Sequence, residues 1–292
     1  MPLNFEPIRL EQQADYRERL ARCERIASDY SFINLWGWGG HYGLQWAWQD
    51  GLVWIRQEKP RKALWAPVGD WTAVDWPAAL KSAKSVADRM IRVPEALLHR
   101  ITQALRGDIQ FEDSRKHWDY LYSVQELVDL KGNRFHKKKN LLNQFTRKTD
   151  HTYMEFGSSM VDLALGMQED WCTWRDCEGD DTLTAENEAI TRVLNDWRKL
   201  EGITGGALQV DHMMVAYTIA ETMPDGTLII HFEKACPRHK GSYQAINQIF
   251  LSQAPEGYTI VNREQDLDDE GIRKAKLSYN PVNFIKKYQI VL

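Results

Sequence analysis

A run of basic residues in the middle of the sequence has the composition that binding to phosphate groups requires. Residues 131–148, KGNRFHKKKNLLNQFTRK, include seven Lys and Arg residues and no acidic residue. Each contact between a cation and a phosphate releases a condensed counterion, so a local cluster of cations favours phosphate binding even in an acidic protein. At ~100° per residue, Lys138 falls inside the apolar arc of this segment, which a solvent-facing helix does not require. A phosphate-binding surface and a solvated helix face therefore both remain open, and the candidate binding residues are Lys137, Lys138 and Lys139.

A predicted strand that ends near Ala235 and a predicted helix that begins near Ser242 form a second candidate site. Alternation along the strand places His231 and Glu233 on one face. A carboxylate at this end of a strand could accept a proton from an incoming amine, so Glu233, with His231, is the candidate proton acceptor. The first turn of a helix presents free N–H groups and a positive dipole end, which suit an anion, although ordinary helix capping explains the same residues. The candidate donor- or phosphate-binding residues are Arg238, Gly241, Ser242 and Tyr243.

A third segment, 273–281, places three cations within four residues ahead of a turn. Cations in the last turn of a helix complement its dipole, and that is the simpler interpretation. In the alternative, Lys274 or Lys276 binds a phosphate, and Lys276 or Tyr279 stabilises the oxyanion of an acyl-transfer reaction. The sequence contains no nucleophile elbow, Walker loop, zinc-protease helix motif or EF-hand spacing. We therefore expect no metal site and no tightly bound cofactor.

The elements that must position these segments form two halves with a similar order of helices and strands. Hydrophobic periodicity predicts helices over 14–27, 77–88, 94–106, 133–146, 186–200 and 242–253 and near 269–276. Strand-like patterns cover 90–93, 207–210, 215–221, 227–235 and 258–261, and a last strand lies near 284–292. Ser123 and Glu126 have the spacing of a capping box at the start of another helix. The strands between 207 and 235 predict an antiparallel meander, and the whole order predicts two related α/β halves.

Tryptophans are concentrated in one part of the first half, since eight of the twelve lie between Trp36 and Trp76. Aromatic side chains at alternate positions, as in Trp46 and Trp48, suit pleated strands over a core. A cluster of tryptophans could instead stack on bases or sugars. We favour the core, because tryptophan has a large area to bury and turns interrupt the run.

Length and composition set the class of protein. The chain has 292 residues, 43% of them apolar, which suits about two domains. Its 37 basic and 41 acidic residues give a net charge of -4, so any nucleic-acid site must be local. The four cysteines form no CxxC pair, from which we expect a reduced compartment and no disulfide scaffold. No apolar run reaches the ~18–20 residues of a membrane span, and the start lacks the pattern of a signal peptide, so we expect a soluble, cytoplasmic protein.

Several sequence blocks, in the same order, resemble the bacterial proteins grouped with the phosphatidylglycerol lysyltransferase C-terminal domain. The blocks are DYLYSVQEL at 119–127, HKKKN at 136–140, GGALQVD at 205–211, HFEKA at 231–235, GSYQAIN at 241–247, NRE at 262–264 and KAKLSYNP at 274–281. The resemblance covers nearly the whole chain and is densest from 119 to 281. It implies an α+β fold of two tandem GNAT-like (N-acetyltransferase-type) domains, each a mixed, mostly antiparallel sheet flanked by helices, similar to the Fem peptidyltransferases.

From this resemblance we expect an N-terminal domain over 1–120 that is a degenerate copy, a basic helical connector over 121–150, and a C-terminal domain over 151–292 that carries the site. Membrane-bound relatives move an aminoacyl group from a charged tRNA to a lipid head group. The implied activity is an acyltransferase that moves an aminoacyl group from aminoacyl-tRNA to an amine or hydroxyl acceptor. That acceptor would be a small molecule, a peptide or a lipid head group.

The loop before the predicted helix at 242–253 bears on the choice of donor. Acetyl-CoA users of this superfamily hold the pyrophosphate with a Q/R-x-x-G-x-G/A loop. Arg238 and Gly241 match that loop, but Tyr243 replaces the last small residue, and its ring would crowd a pyrophosphate. This departure favours aminoacyl-tRNA over acyl-CoA as co-substrate. Two alternatives remain, namely an acetyl-CoA-dependent N-acetyltransferase and a non-catalytic RNA-binding or regulatory module on a transferase fold.

Overall fold

The computed structural model describes residues 3–107, 109–254 and 257–292. The chain divides into two compact units. One comprises Met1–Asp119, Gln265–Asp268 and Phe284–Leu292, and the other comprises Tyr120–Glu264 and Asp269–Asn283. The described residues form two seven-stranded sheets. No helix among the described residues is long and apolar enough to cross a membrane.

Strands and helices alternate along most of the chain. The strands are β1 (Glu6–Pro7), β2 (Gln45–Gln49), β3 (Leu52–Gln57), β4 (Ala63–Gly69), β5 (Arg89–Pro94), β6 (Phe111–Asp113), β7 (Asp119–Ser123), β8 (Thr152–Glu155), β9 (Ile203–Val210), β10 (Met213–Thr222), β11 (Thr227–Ala235), β12 (Ile260–Asn262), β13 (Asn283–Ile285) and β14 (Lys287–Val291). The α-helices are α1 (Gln13–Leu20), α2 (Phe32–Gly37), α3 (Gly39–Tyr42), α4 (Trp76–Lys84), α5 (Glu95–Ala104), α6 (Val124–Asp129), α7 (His136–Lys148), α8 (Val161–Arg175), α9 (Asp181–Asn195), α10 (Ser242–Ser252) and α11 (Glu270–Leu277).

The first sheet has the strand order β1-β2-β3-β4-β5-β14-β6. Strands β2, β3 and β4 form an antiparallel meander, and β5 returns parallel to β4 after helix α4. The Asp75 carboxylate stabilises the start of α4 by accepting a hydrogen bond from the N–H of Ala78 at 3.1 Å. Trp46, Trp54 and Trp65 lie on the meander and are buried, which confirms that the aromatic strands build a core.

A network of buried charges ties the last strand into the first unit. Lys287, on β14, donates to Asp119 Oδ1 at 2.6 Å and also pairs with Asp29. Arg92, on β5, forms a second ion pair with Asp29. Burial raises the pKa of Asp29, but Lys287 and Arg92 outweigh this effect and lower that pKa to about 2. The four side chains come from distant parts of the sequence, so their pairing requires the folded chain.

The second sheet has the strand order β13-β7-β12-β11-β10-β9-β8. Strands β9, β10 and β11 form the predicted antiparallel meander, and β12 returns parallel to β11 after helix α10. Both sheets therefore contain a three-stranded meander followed by a parallel strand. The parallel pairing joins Thr227–Ile229 to Ile260–Asn262 and then stops, whereas β11 continues to Ala235. Beyond this point the strands are no longer paired, and side chains occupy the space between them.

Helix α7 carries the basic run and packs by its apolar face. Phe145 is buried and Leu142 partly buried against a core that includes Leu208 and Ala216. The segment 121–150, predicted to be a connector, lies within the second unit, because β7 pairs with β12 and α7 joins this core. Strand β14 was predicted to belong to the C-terminal domain. It pairs instead with β5 and β6 in the first sheet.

The elements between the basic run and the meander differ most from the predictions. Helix α8 was not predicted, and Cys172 near its end forms a disulfide with Cys177. The left-handed backbone of Asp176, with φ of 54°, reverses the chain between the two cysteines. This pairing differs from the reduced cysteines expected from the sequence. Helix α9 begins earlier than predicted, because the Asp180 carboxylate caps its first turn.

The structure tests the predicted start of α6 and the predicted extent of α1. Ser123 Oγ accepts a hydrogen bond from the N–H of Glu126 at 3.3 Å, as the capping box predicts. The Glu126 carboxylate pairs with Arg134, outside the predicted box. The predicted helix over 14–27 ends at Leu20.

Candidate active site

Glu233 lies where β11 and β12 are no longer paired. Its Oε1 accepts a hydrogen bond from Arg263 Nη2 at 2.9 Å, and its Oε2 accepts one from Asn247 Nδ2 at 2.9 Å. Arg263 follows directly after β12, and Asn247 lies on α10, so three elements converge on one carboxylate. A carboxylate has about four acceptor positions, and therefore these two contacts leave room for a further donor.

Tyr279 lies beside this ion pair. The Cζ atom of Arg263 is 4.9 Å from the centre of the Tyr279 ring, and Gln244 Nε2 donates to the Tyr279 hydroxyl at 3.3 Å. Burial raises the pKa of Tyr279 above its ordinary value, although Arg263 acts in the opposite direction. Burial lowers the pKa of Arg263, but Glu233 outweighs it and raises that pKa. At neutral pH Arg263 is thus a guanidinium and Tyr279 a neutral phenol.

The two lysines of the third segment have different surroundings. Lys276 Nζ donates to the carbonyl oxygen of Arg263 at 2.5 Å, and the Lys276 carbonyl accepts from the Tyr122 hydroxyl at 2.8 Å. Lys276 is therefore part of the framework that holds the Arg263 backbone. Lys274 is exposed in the last turn of α11, where it complements the helix dipole.

Lys138 is the residue of the basic run that reaches this cluster. Its Nζ lies 4.1 Å from the centre of the Tyr279 ring, a distance at which the ring attracts a cation. Burial lowers the pKa of Lys138, and the nearby charge of Arg263 lowers it further. Lys137 and Lys139, on either side, are exposed. The run thus has one half-buried lysine at the site and others that face solvent.

His231 lies in a separate ion cluster. Its Nδ1 is 2.8 Å from Glu264 Oε1 and its Nε2 is 3.4 Å from Glu221 Oε2. Burial lowers the pKa of His231, but the two carboxylates outweigh it and raise that pKa to about 9. At neutral pH the ring is an imidazolium, which has no lone pair to accept a proton. This environment argues against His231 as a proton acceptor.

The predicted anion cradle at the start of α10 is covered by another helix. Gly241 has φ of 94°, and a Cβ atom there would lie 2.1 Å from the carbonyl oxygen of Leu141 on α7. Glycine is therefore required for the close approach of two helices. Ser242 is buried, and its hydroxyl donates to the Cys236 carbonyl at 3.2 Å. These contacts favour a packing role for Gly241 and Ser242 over a phosphate-binding role.

The other two residues of that cradle face helix α8. Tyr243 is partly exposed, and its hydroxyl accepts a hydrogen bond from Trp171 Nε1 at 3.1 Å. Arg238 is exposed, with its Cζ 5.6 Å from the centre of the Trp174 ring. The structure thus brings Glu233, Tyr279, Lys276 and Lys138 together, and it places Arg238 beside α8. Burial and, to a lesser extent, the charge of Glu233 raise the pKa of Tyr243, so this residue lies within electrostatic reach of the cluster.

Arg263, Asn247 and Gln244 were not candidates from the sequence, although they complete the cluster. Arg263 lies within the block at 262–264, and the other two lie within the block at 241–247. Both blocks carried the family resemblance without a role for these residues. Because the ion pair joins positions 30 residues apart, periodicity along one element could not indicate it.

Comparison with known proteins shows the family and the fold. The family model for the C-terminal domain of phosphatidylglycerol lysyltransferase matches residues 20–291. A conserved protein of unknown function from Bacteroides thetaiotaomicron is 30% identical in sequence, and its crystal structure has a TM-score of 0.90 over 99% of each chain. The structure of L-PGS from Bacillus licheniformis is 13% identical, with a TM-score of 0.70 over 100% of this chain and 93% of that one. FemX is 7% identical, with a TM-score of 0.59 over 99% and 98% of the two chains.

The last two likenesses confirm the fold expected from the resemblance, a tandem pair of GNAT-like domains. An uncharacterised protein of Mycoplasmoides gallisepticum is 24% identical over 173 residues, which are 59% of this chain and 55% of that protein. The chain thus spans about half the length of this curated relative. Because the family model extends over nearly the whole sequence, the chain belongs to the family of the phosphatidylglycerol lysyltransferase C-terminal domain.

Proposed function

We propose that the second unit transfers an aminoacyl group from a charged tRNA to an amine or hydroxyl acceptor. The observation that carries the proposal is the convergence of Glu233, Arg263 and Tyr279 beyond the paired part of β11 and β12. A carboxylate, a fixed cation and a phenol are the groups that acyl transfer needs for proton movement and oxyanion stabilisation. The proposal requires a compartment that contains charged tRNA, which is the cytoplasm.

In the proposed reaction, the acceptor amine or hydroxyl attacks the carbonyl carbon of the aminoacyl ester. Its proton passes to a free lone pair of Glu233, and the negative charge of the tetrahedral intermediate develops on the carbonyl oxygen. The guanidinium of Arg263 and the hydroxyl of Tyr279 stabilise that oxyanion. The bond to the ribose oxygen then breaks, and Glu233 returns the proton to that oxygen. Atoms and charges balance without another reactant.

Lys138 supports tRNA as the donor. Its half-buried ammonium lies beside Tyr279, and the exposed Lys137 and Lys139 continue the positive charge along α7. A strand of RNA that follows this helix would place its phosphates along the lysines and its end near the Tyr279 ring. Each phosphate contact makes binding weaker as salt increases.

Two observations argue against acetyl-CoA as the donor. The Leu141 carbonyl lies against Gly241, where a pyrophosphate would have to approach. Tyr243 replaces the small residue of the loop that acetyl-CoA users have. We therefore expect acetyl-CoA not to compete with tRNA. The remaining alternative, a non-catalytic RNA-binding module, predicts binding that does not depend on whether the tRNA is charged.

Filter binding with total charged and uncharged tRNA tests these candidates. The purified chain is titrated at two salt concentrations, with and without acetyl-CoA as competitor. Preference for charged tRNA, unaffected by acetyl-CoA, supports the proposed donor. Equal binding of charged and uncharged tRNA supports the RNA-binding module, and displacement by acetyl-CoA supports an acetyltransferase. Absence of tRNA binding at both salt concentrations contradicts the proposal.

A further inference from the structure

His231 has an arrangement that packing alone does not require. Both of its ring nitrogens face carboxylates, those of Glu264 and Glu221, and its side chain is fully buried. Burying charges is costly unless they are paired and hydrogen-bonded. A cluster of two acids and one imidazole in the interior therefore calls for a role.

A β-bulge takes His231 out of the regular ladder. Ile219 pairs with Phe232 and Ala220 pairs with Ile230, so His231 is the extra residue between them. Bulges of this kind re-aim a side chain and break the alternation of faces. The ring consequently reaches the carboxylate that follows β12, beyond the end of the parallel pairing.

The segment that follows β12 is held in an uncommon backbone conformation. Glu264 has φ of 56°, which residues with a side chain rarely adopt. Its N–H donates to Asn262 Oδ1 at 2.8 Å, and its carbonyl oxygen accepts from the N–H of Tyr120 at 3.2 Å. Such a conformation persists where the surroundings fix it from several sides. His231 adds the contact to the Glu264 side chain, directly next to Arg263.

We infer that His231 is a positioning residue, which as an imidazolium anchors Glu264 and thereby holds Arg263 against Glu233. The inference rests on the proposed function, in which Arg263 and Glu233 act on the substrate. Two ion pairs, His231–Glu264 and Glu233–Arg263, join β11 to the segment after β12 where the strands no longer pair. The His231 side chain is fully buried, whereas Arg263 and Glu233 are 14% and 9% exposed. Glu264 is itself 18% exposed, so the fully buried member of the two pairs is the His231 ring, and this ring fixes the segment that carries both Glu264 and Arg263.

The anchor depends on the charge of the ring. Glu221 on β10 and Glu264 after β12 face the ring. Glu233 lies two residues beyond His231 on β11, and Arg263 directly precedes Glu264. Burial lowers the pKa of His231, and the two facing carboxylates raise it to about 9 from an ordinary 6.5. The pKa of His231 in the folded chain is higher than its ordinary value of 6.5. The ring therefore carries its full charge below pH 6.5, and the ion pair with Glu264 is lost as pH rises through about 9.

The test is an NMR titration of the full chain, labelled at histidine and arginine, from about pH 6 to about pH 10. The ring of His231 is assigned with His231→Gln and the Cζ resonance of Arg263 with Arg263→Lys. We expect His231 to titrate near pH 9 and Arg263 Cζ to shift with the same midpoint. His231→Gln removes that shift, whereas His212→Gln, in which an exposed ring is replaced, leaves it unchanged.

An Arg263 resonance that stays constant while His231 titrates would overturn the inference, as would a His231 ring that is already neutral at pH 7. Where either variant does not fold, through-bond and through-space correlations in the unmodified chain assign the two resonances instead. Neither outcome depends on tRNA. If Arg263 follows His231 while the unmodified chain transfers no aminoacyl group from charged tRNA, the proposed function fails and the positioning role stands.

Discussion

Glu233 is the residue on which the proposed proton transfer depends. Glu233→Gln keeps an oxygen that can accept from Arg263 or Asn247 but removes the group that accepts the proton. We expect aminoacyl transfer to fall by about 10²–10⁴-fold, while tRNA binding and thermal unfolding change little. The measurement is single-turnover transfer from charged tRNA.

The matched control for this variant is Glu188→Gln, which removes an exposed carboxylate from α9 in the same unit. The control should transfer at the rate of the unmodified chain. A Glu233→Gln chain that is equally active would exclude Glu233 as the proton acceptor. A Glu233→Gln chain that unfolds at lower temperature would instead indicate that the carboxylate serves the fold.

The hydroxyl of Tyr279 tests oxyanion stabilisation separately. Tyr279→Phe keeps the ring that Lys138 and Arg263 face and removes the O–H that Gln244 contacts. We expect transfer to slow by about 10²-fold or more, since loss of one oxyanion donor has an effect of this size. Binding of tRNA should be unchanged, because the ring remains. Tyr258→Phe is the control, and equal rates for both variants would remove Tyr279 from the mechanism.

At the scale of single elements, Gly241 determines how α10 meets α7. Gly241→Ala places a Cβ 2.1 Å from the Leu141 carbonyl oxygen in a left-handed backbone. We expect the free energy of unfolding to fall by at least ~2 kcal/mol, because strain and a backbone clash add. Urea unfolding measures it.

Gly51→Ala separates the two causes. Gly51, in the turn between β2 and β3, has φ of 77°, and nothing lies within 4 Å of an added Cβ atom. The free energy of unfolding of this variant should fall by about 1 kcal/mol, because the substitution adds backbone strain but no clash. If both variants lose the same free energy of unfolding, the α7 backbone does not contact Gly241. The start of α10 would then again be a candidate anion site.

The lysines of helix α7 predict how tRNA binding depends on salt concentration. Replacement of Lys137–Lys139 by glutamine should weaken tRNA binding and lower the slope of log K against log salt by about 2–3, roughly 0.7–0.9 for each phosphate that a lysine no longer neutralises. The control replaces the three exposed lysines Lys62, Lys81 and Lys84 of the first unit by glutamine. If both triple variants have the same slope, α7 does not bind the RNA backbone.

Single elements also show what the sequence could predict. The meander and α10 followed from alternation and helical periodicity, because each buries one regular face. Helix α8 was missed, since its buried residues Ala164, Met167, Gln168 and Trp171 include a polar side chain and its apolar stripe is weak. Arg263 was missed for a different reason. Its partner depends on where two strands stop pairing, which no local pattern along the chain encodes.

At the scale of the whole molecule, the charge network of Asp29 links residues from the start, middle and end of the sequence. Its pKa of about 2 lies below the ordinary 3.8, so Asp29 contributes stability above pH 4 that is lost as pH falls towards 2. We expect this contribution to be about 2 kcal/mol. Unfolding by urea at a series of pH values measures it.

Asp29→Asn should flatten the acid side of this pH profile. It should also destabilise the chain by about 3 kcal/mol at neutral pH, because it leaves buried Arg92 and Lys287 with less opposing charge. Asp15→Asn, at an exposed position on α1, is the control. A profile for Asp29→Asn that matches the unmodified chain would mean that the acid dependence arises elsewhere.

The place of β14 in the first sheet has a consequence for synthesis on the ribosome. Asp119 and Lys287 are 168 positions apart, so translation at ~5–20 residues per second takes about 10–30 seconds between them. During that interval β5 has no neighbour on its outer side, and Asp29 and Asp119 lack their lysine. The nascent first unit therefore exposes a sheet edge and leaves Asp119 without its ammonium partner until β14 emerges, a period in which chaperones have access to it.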